Sequence, residues 1–214
     1  MNRTQLFLSF VLSFILLVNM KAQEFKQVSE YSYPTISGAH FISNTTGWFV
    51  SSGGDVRKTI DGGVTWTKLQ TNIEDNLTEV FFLNENVGFT GGTGSKIFKT
   101  IDGGYTWTGT DIVNGAGTLY DIYFYNENKG WLLSSTSSAG QVISTTDGGT
   151  TWNIDLNHAA GDLESMSFFG ENNGIVVGGG VGKVDLFYTT NGTNWTKAPV
   201  PTFPPGYTRT DIRG

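Results

Sequence analysis

The chain has 214 residues, with 13 lysines and arginines against 19 aspartates and glutamates, for a net charge of −6. An acidic balance of this kind argues against nucleic acid or an anionic lipid surface as partner, because both reward a basic patch. No cysteine occurs, which excludes disulfides, thiol chemistry and a cysteine-linked lipid anchor.

Residues 1–23 read as a secretory signal peptide. Asn2 and Arg3 open a short positive segment, Leu6 to Val18 is an almost unbroken apolar run, and Lys21-Ala22-Gln23 offers a small-residue cleavage region. The apolar run is short for a membrane span. Cleavage near Gln23 is expected, giving a secreted, periplasmic or cell-surface protein with no membrane insertion after cleavage. Phe25 to Ser29 then stands where a fourth strand lacking its own blade would stand.

The remainder, residues 24–214, is a tandem repeat. Its clearest unit is Thr59-Ile60-Asp61-Gly62-Gly63-Val64-Thr65-Trp66, which returns with Asp102, Gly103, Gly104 and Trp107, and again with Asp147, Gly148, Gly149 and Trp152. A worn fourth copy keeps Asn191, Gly192 and Trp195 but has lost one glycine and its aspartate. Successive Asp or Asn positions lie 41, 45 and 44 residues apart. Short strands at this period are the signature of propeller blades. Asp followed by Gly-Gly between two β-prone runs reads as a tight connection. The glycines supply positive φ, and the carboxylate accepts hydrogen bonds from the loop's own amides.

Aligning on these turns exposes the rest of each blade. Phe41, Phe82, Phe124 and Phe168 occupy one column, each six residues before a glycine: Gly47, Gly88, Gly130 and Gly174. A phenylalanine held at one register in four copies is a packing position between neighbouring blades. Asn-rich linkers close the hairpin between first and second strands, and the third strands are largely apolar on both faces. Gly91-Gly92-Thr93-Gly94 and Gly178-Gly179-Gly180 read as turns between second and third strands. All six tryptophans fall at the end of a box or just after the repeat glycine.

The expected architecture is therefore all-β: a β-propeller of four-stranded antiparallel blades near 34–70, 76–110, 117–156 and 162–198. A fifth blade is expected to begin near residue 208, leaving the ring incomplete in this sequence. A four-bladed ring with a trailing segment is the alternative.

Chemistry is sparse along this scaffold. Four equivalent box turns at one period, three with an aspartate and one with Asn191, are structural rather than catalytic, so no catalytic residue is assigned to them. His40 and His158 have no second His or Cys at ligand spacing, and no phosphate loop or calcium-type run occurs, so neither metal nor cofactor is expected. Glu79 and Asp121 share a column on the first strands, with Gly38 and Ser165 as its other members. They are the nearest candidates for opposed carboxylates of a glycosidase; the other reading makes them solvated strand-end acids.

The motif S/T-x-D-G-G-x-T-W resembles the Asp-box, or bacterial neuraminidase repeat, of sialidases, sortilin-type receptors, xyloglucanases and photosystem II assembly/stability factor-like proteins. The Phe-x-Asn/Asp-x-x-x-Gly-Trp pattern, complete at Phe124 to Trp131 and partial ahead of the other boxes, is most similar to the last group. That resemblance implies an extracytoplasmic propeller that binds and assembles proteins. The arginine patch of its photosynthetic members has no counterpart here. A sialidase arginine triad is also absent, since Arg57, Arg209 and Arg213 are the only arginines after residue 23. The expected function is a protein- or glycan-binding module; the alternative is a xyloglucanase- or sialidase-like hydrolase built on Glu79 and Asp121.

Overall fold

The computed structural model describes residues 35–112, 117–136, 139–159, 162–179 and 184–199. The leader, the strand-like segment at Phe25 to Ser29 and the fifth blade near residue 208 lie outside the described residues.

Four sheets follow one another along the chain, each a four-stranded antiparallel meander. The first contains β1 (Ile36–Phe41), β2 (Gly47–Ser51), β3 (Val56–Thr59) and β4 (Thr67–Leu69). The second contains β5 (Leu77–Phe82), β6 (Gly88–Gly92), β7 (Lys96–Thr100) and β8 (Thr108–Asp111). The third contains β9 (Thr118–Phe124), β10 (Gly130–Ser135), β11 (Ala139–Thr145) and β12 (Asn153–Ala159). The fourth contains β13 (Leu163–Phe169), β14 (Asn173–Gly178), β15 (Asp185–Thr189) and β16 (Thr196–Lys197). Consecutive sheets pack through their first strands, β1 on β5, β5 on β9 and β9 on β13, and the ring is not closed among the described residues. This is a partial β-propeller of four blades, with no helix among the described residues.

Burial explains why short strands suffice. In β2, β6 and β10 every residue is buried, on both faces, because each of these sheets is covered by a neighbour. Three apolar clusters fill the three joints between blades. One holds Trp48, Val50, Val56 and Phe82, the next Phe89, Ile97, Leu119 and Phe124, and the last Trp131, Leu133, Leu163 and Val176.

The phenylalanine column organises each joint. Phe82 stacks on Trp48 of the preceding blade at 3.6 Å, Phe124 on Phe89 at 3.5 Å, and Phe168 on Trp131 at 4.1 Å. Each also meets its own box tryptophan edge-on: Trp107 at 6.1 Å, Trp152 at 6.2 Å and Trp195 at 5.9 Å. Parallel and edge-to-face contacts of this kind favour the ring quadrupoles beyond simple burial. In register, each Phe faces the repeat glycine across the first hairpin: Phe82 pairs with Gly88 and Phe124 with Gly130. A Cβ on Gly130 would lie 2.4 Å from the Phe124 ring, so the glycine exists to let the ring lie flat.

The structure corrects one expectation. Gly91 and Gly92 are not turn residues; they close β6, and Gly178 closes β14. A Cβ on Gly91 would sit 2.5 Å from Leu119 of the next blade, and one on Gly92 would sit 1.8 Å from the Asn76 carbonyl oxygen. Close backbone approach demands these glycines.

Candidate functional site

The boxes fall on the turns joining third and fourth strands, and three of them share one hydrogen-bond pattern. In the first, the Thr65 N–H and hydroxyl donate to Asp61 at 2.9 and 2.6 Å, and the Thr59 hydroxyl donates to it at 2.7 Å. Thr59 Oγ1 in turn accepts from the Gly63 N–H at 2.9 Å. Asp102 with Thr100 and Thr106, and Asp147 with Thr145 and Thr151, repeat the arrangement. Gly62 and Gly63, at φ of 75° and 89°, take the left-handed turn that L side chains avoid. Gly103, Gly104, Gly148 and Gly149 also have positive φ.

Hydrogen bonds from the threonines hold the carboxylates ionised. Donation from Thr65 and then Thr59 lowers the Asp61 pKa to about 2, and donation chiefly from Thr151 lowers that of Asp147 to about 2. Asp102 is lowered by the same cause, led by Thr106. A carboxylate saturated in this way is a poor proton donor and a poor nucleophile. In the fourth turn Asn191 Oδ1 accepts from the N–H groups of Thr193 and Asn194 at 3.0 and 2.8 Å, so an amide oxygen replaces the carboxylate. Trp107 and Trp152 donate to the Gly104 and Gly149 carbonyls at 2.9 and 3.2 Å, whereas buried Trp195 Nε1 has no partner among the described residues.

The first box threonine escaped the sequence reading. Thr59, Thr100, Thr145 and Thr189 are all buried hubs, and their recurrence in the motif was the available signal. A second layer also went unread. Trp48 Nε1 donates to Gly103 O of the next blade's box at 3.0 Å, and Trp131 Nε1 to Gly192 O at 2.6 Å. The middle joint has Phe89 at this place, and there Lys99 Nζ donates to Gly148 O at 3.0 Å instead.

Glu79 and Asp121 occupy equivalent places on β5 and β9, opposite Gly91 and Leu133, each one residue after a bulge. Their carboxylates are engaged by backbone. The Val80 N–H donates to Glu79 Oε1 at 3.3 Å, and the Met166 N–H of the next blade donates to Asp121 Oδ2 at 2.9 Å. Gly38 and Ser165 complete the column at the matching register.

The two histidines differ. His40 lies against Phe81 at 4.8 Å, and burial lowers its pKa. His158 Nε2 lies 2.8 Å from Asp185 Oδ2, across the joint between third and fourth blades, and Lys197 also pairs with Asp185. Among the described residues no group of three His, Cys, Asp or Glu could hold a metal ion, and no helix is long and apolar enough to cross a membrane.

Four-stranded blades bearing hydrogen-bonded Asp-box turns define a β-propeller of the bacterial neuraminidase repeat class. Within that class the chain resembles the photosystem II assembly factor. A family model described as "Photosynthesis system II assembly factor YCF48" matches residues 110–210. Among solved structures, "YCF48 bound to D1 peptide" is 19% identical with a TM-score of 0.50, covering 76% of this chain and 68% of that one. YCF48 from Cyanidioschyzon merolae is 18% identical with a TM-score of 0.58, covering 75% of this chain and 52% of that one. An ancestral GH74 enzyme is 18% identical with a TM-score of 0.62, but this chain spans only 24% of its length. A search of curated protein sequences finds no match.

Proposed function

We propose that this chain is a binding and assembly module that engages a protein partner through its blades. The observation that carries this reading is the saturation of the box aspartates and the engagement of Asp121. The three box aspartates are held ionised by threonine donors within exposed turns, and Asp121 accepts an inter-blade amide. These groups build the scaffold and join its blades. The similarity to YCF48, one structure of which is described as bound to D1 peptide, points the same way. Residues 1–23 support an extracytoplasmic location, and the absence of a long basic run fits a protein or glycan partner rather than nucleic acid.

The test couples binding to catalysis. The full-length protein is assayed on a panel of β-glucans and sialosides, and in parallel is purified with cross-linked partners from its own extracytoplasmic fraction. Each captured partner is then purified and titrated against it. A stoichiometric complex with no turnover is the expected result. Turnover abolished by Asp121→Asn would overturn the module reading in favour of a glycosidase.

A further inference from the structure

The joint between second and third blades is built differently from its neighbours. At the first joint, Trp48 and Leu69 fill the space beneath the following box; a Cβ on Gly104 would touch Leu69 at 2.8 Å. At the middle joint the matching residues are Phe89 and Thr110, both smaller. Beside them lies a groove of about 570 Å³, within the range of roughly 300–1,000 Å³ typical of ligand sites. Phe89 and Ile97 form its floor, Lys99, Thr108 and Thr110 one wall, and Gly148 the other.

Its chemistry is selective. Lys68, Lys96, Lys129 and Lys197 each pair with a carboxylate, and Lys58, the counterpart of Lys99 at the filled first joint, lies over the Trp48 ring at 4.8 Å. Lys99, half-buried, donates one hydrogen to Gly148 O and meets no carboxylate among the described residues. Two ammonium hydrogens remain for an acceptor. Thr108 pairs with Lys99 across the ladder and Thr110 with Ile97, so both hydroxyls lie on the groove face. The floor is closed to a sugar ring, because Phe89 is fully buried and already stacked on Phe124. Beside the groove, β8 is the edge strand of its sheet, and an extended chain can add to such an edge by backbone hydrogen bonds. Ile101, 72% exposed, forms an apolar lip.

We propose that this groove is the docking site of an extended acidic peptide, laid along β8 with a glutamate carboxylate on the Lys99 ammonium. The proposal rests on the protein-binding reading above and locates it. A strand paired with β8 presents alternate side chains to the groove face. Glutamate has the length to pass over Thr108, and its charge meets a half-buried cation whose hydrogen bonds it can complete.

The experiment uses the full chain and a fluorescent peptide of alternating valine and glutamate, read by anisotropy. Controls are the same peptide with glutamine, and oligogalacturonate as an acidic glycan. The key variant is Phe89→Trp with Thr110→Leu, which partly refills the groove with the residues found at the first joint; circular dichroism checks that the fold is kept. Its melting temperature should equal or exceed that of the wild type. The glutamate peptide should bind the wild type in a salt-sensitive manner, and both the glutamine peptide and the refilled variant should bind at least about tenfold more weakly. Lys99→Met should match the refilled variant. Equal affinity for wild type and refilled variant would overturn the groove while leaving the binding module intact. Preferential binding of oligogalacturonate would overturn the peptide assignment, and no binding of any probe at millimolar concentration would overturn the site.

Discussion

Replacing Thr100 with valine removes one hydroxyl while keeping side-chain shape, and so isolates the polar role of the box hub. The Thr100 side chain is buried within the turn. Its Oγ1 accepts from the Gly104 N–H at 2.9 Å and the Asp102 N–H at 3.3 Å, and donates to Asp102 Oδ1 at 2.8 Å. The Gly104 amide is buried, so its donor is left unsatisfied, at a cost of about 1–3 kcal/mol. The longer Asp102 amide bond and the lost hydroxyl donation add about 1 kcal/mol between them, since the turn is partly exposed and water replaces them. The expected loss is about 2–4 kcal/mol, read as a fall in urea midpoint at unchanged slope. Thr106→Val, which removes only an exposed donor to the same carboxylate, should cost about 0.5–1.5 kcal/mol. A Thr100→Val loss below about 0.5 kcal/mol, or one no larger than that of Thr106→Val, would refute the hub argument.

Three further outcomes are expected. Gly88→Ala drives a methyl to 2.5 Å from the Phe82 ring and should lower stability by about 1–3 kcal/mol, as overpacked cores do; calorimetry measures it. Asp61 and Asp147 have folded pKa values of about 2, below the ordinary carboxylate value. Their contribution is therefore present above pH ~4 and is lost as pH falls towards 2; Asp61→Asn with Asp147→Asn should flatten the urea midpoint across that window. Asp155 has the opposite sign: burial raises its pKa to about 6, so the neutral form suits the fold and stability drops as pH rises from ~4 to ~6. Asp155→Asn should remove that slope and raise the midpoint at pH 7.

The propeller was legible in the sequence because its devices are local. Asp61-Gly62-Gly63 specifies a turn by conformational preference, and the Phe41 column shows itself by recurrence at a fixed distance from a glycine. What the sequence withheld lies across joints. Whether Phe124 stacks on Phe89, whether Trp48 caps Gly103 O, and whether Asp121 takes the Met166 amide all depend on groups 35, 55 and 45 residues apart along the chain, in neighbouring repeats. Gly91 shows the same limit: alone it reads as a turn, and only the approach of Leu119 reveals a packing requirement. The Lys99 groove lies beside small differences between copies, Trp48 to Phe89 and Leu69 to Thr110, which mean little until the joint is visible.

The stacking of each phenylalanine on the preceding blade gives the repeat a grammar for growth. A blade needs an aromatic plate on its second strand to receive its successor and a phenylalanine on its first strand to dock on its predecessor. Both Phe82 and Phe89 belong to the second blade, so that blade carries both halves of a joint. A duplicated copy inserted behind it would meet its parent through a Phe82-on-Phe89 stack of the kind already made by Phe124. Lengthening by gene duplication therefore requires no new interface to be invented, and copies are free to diverge afterwards at the joints.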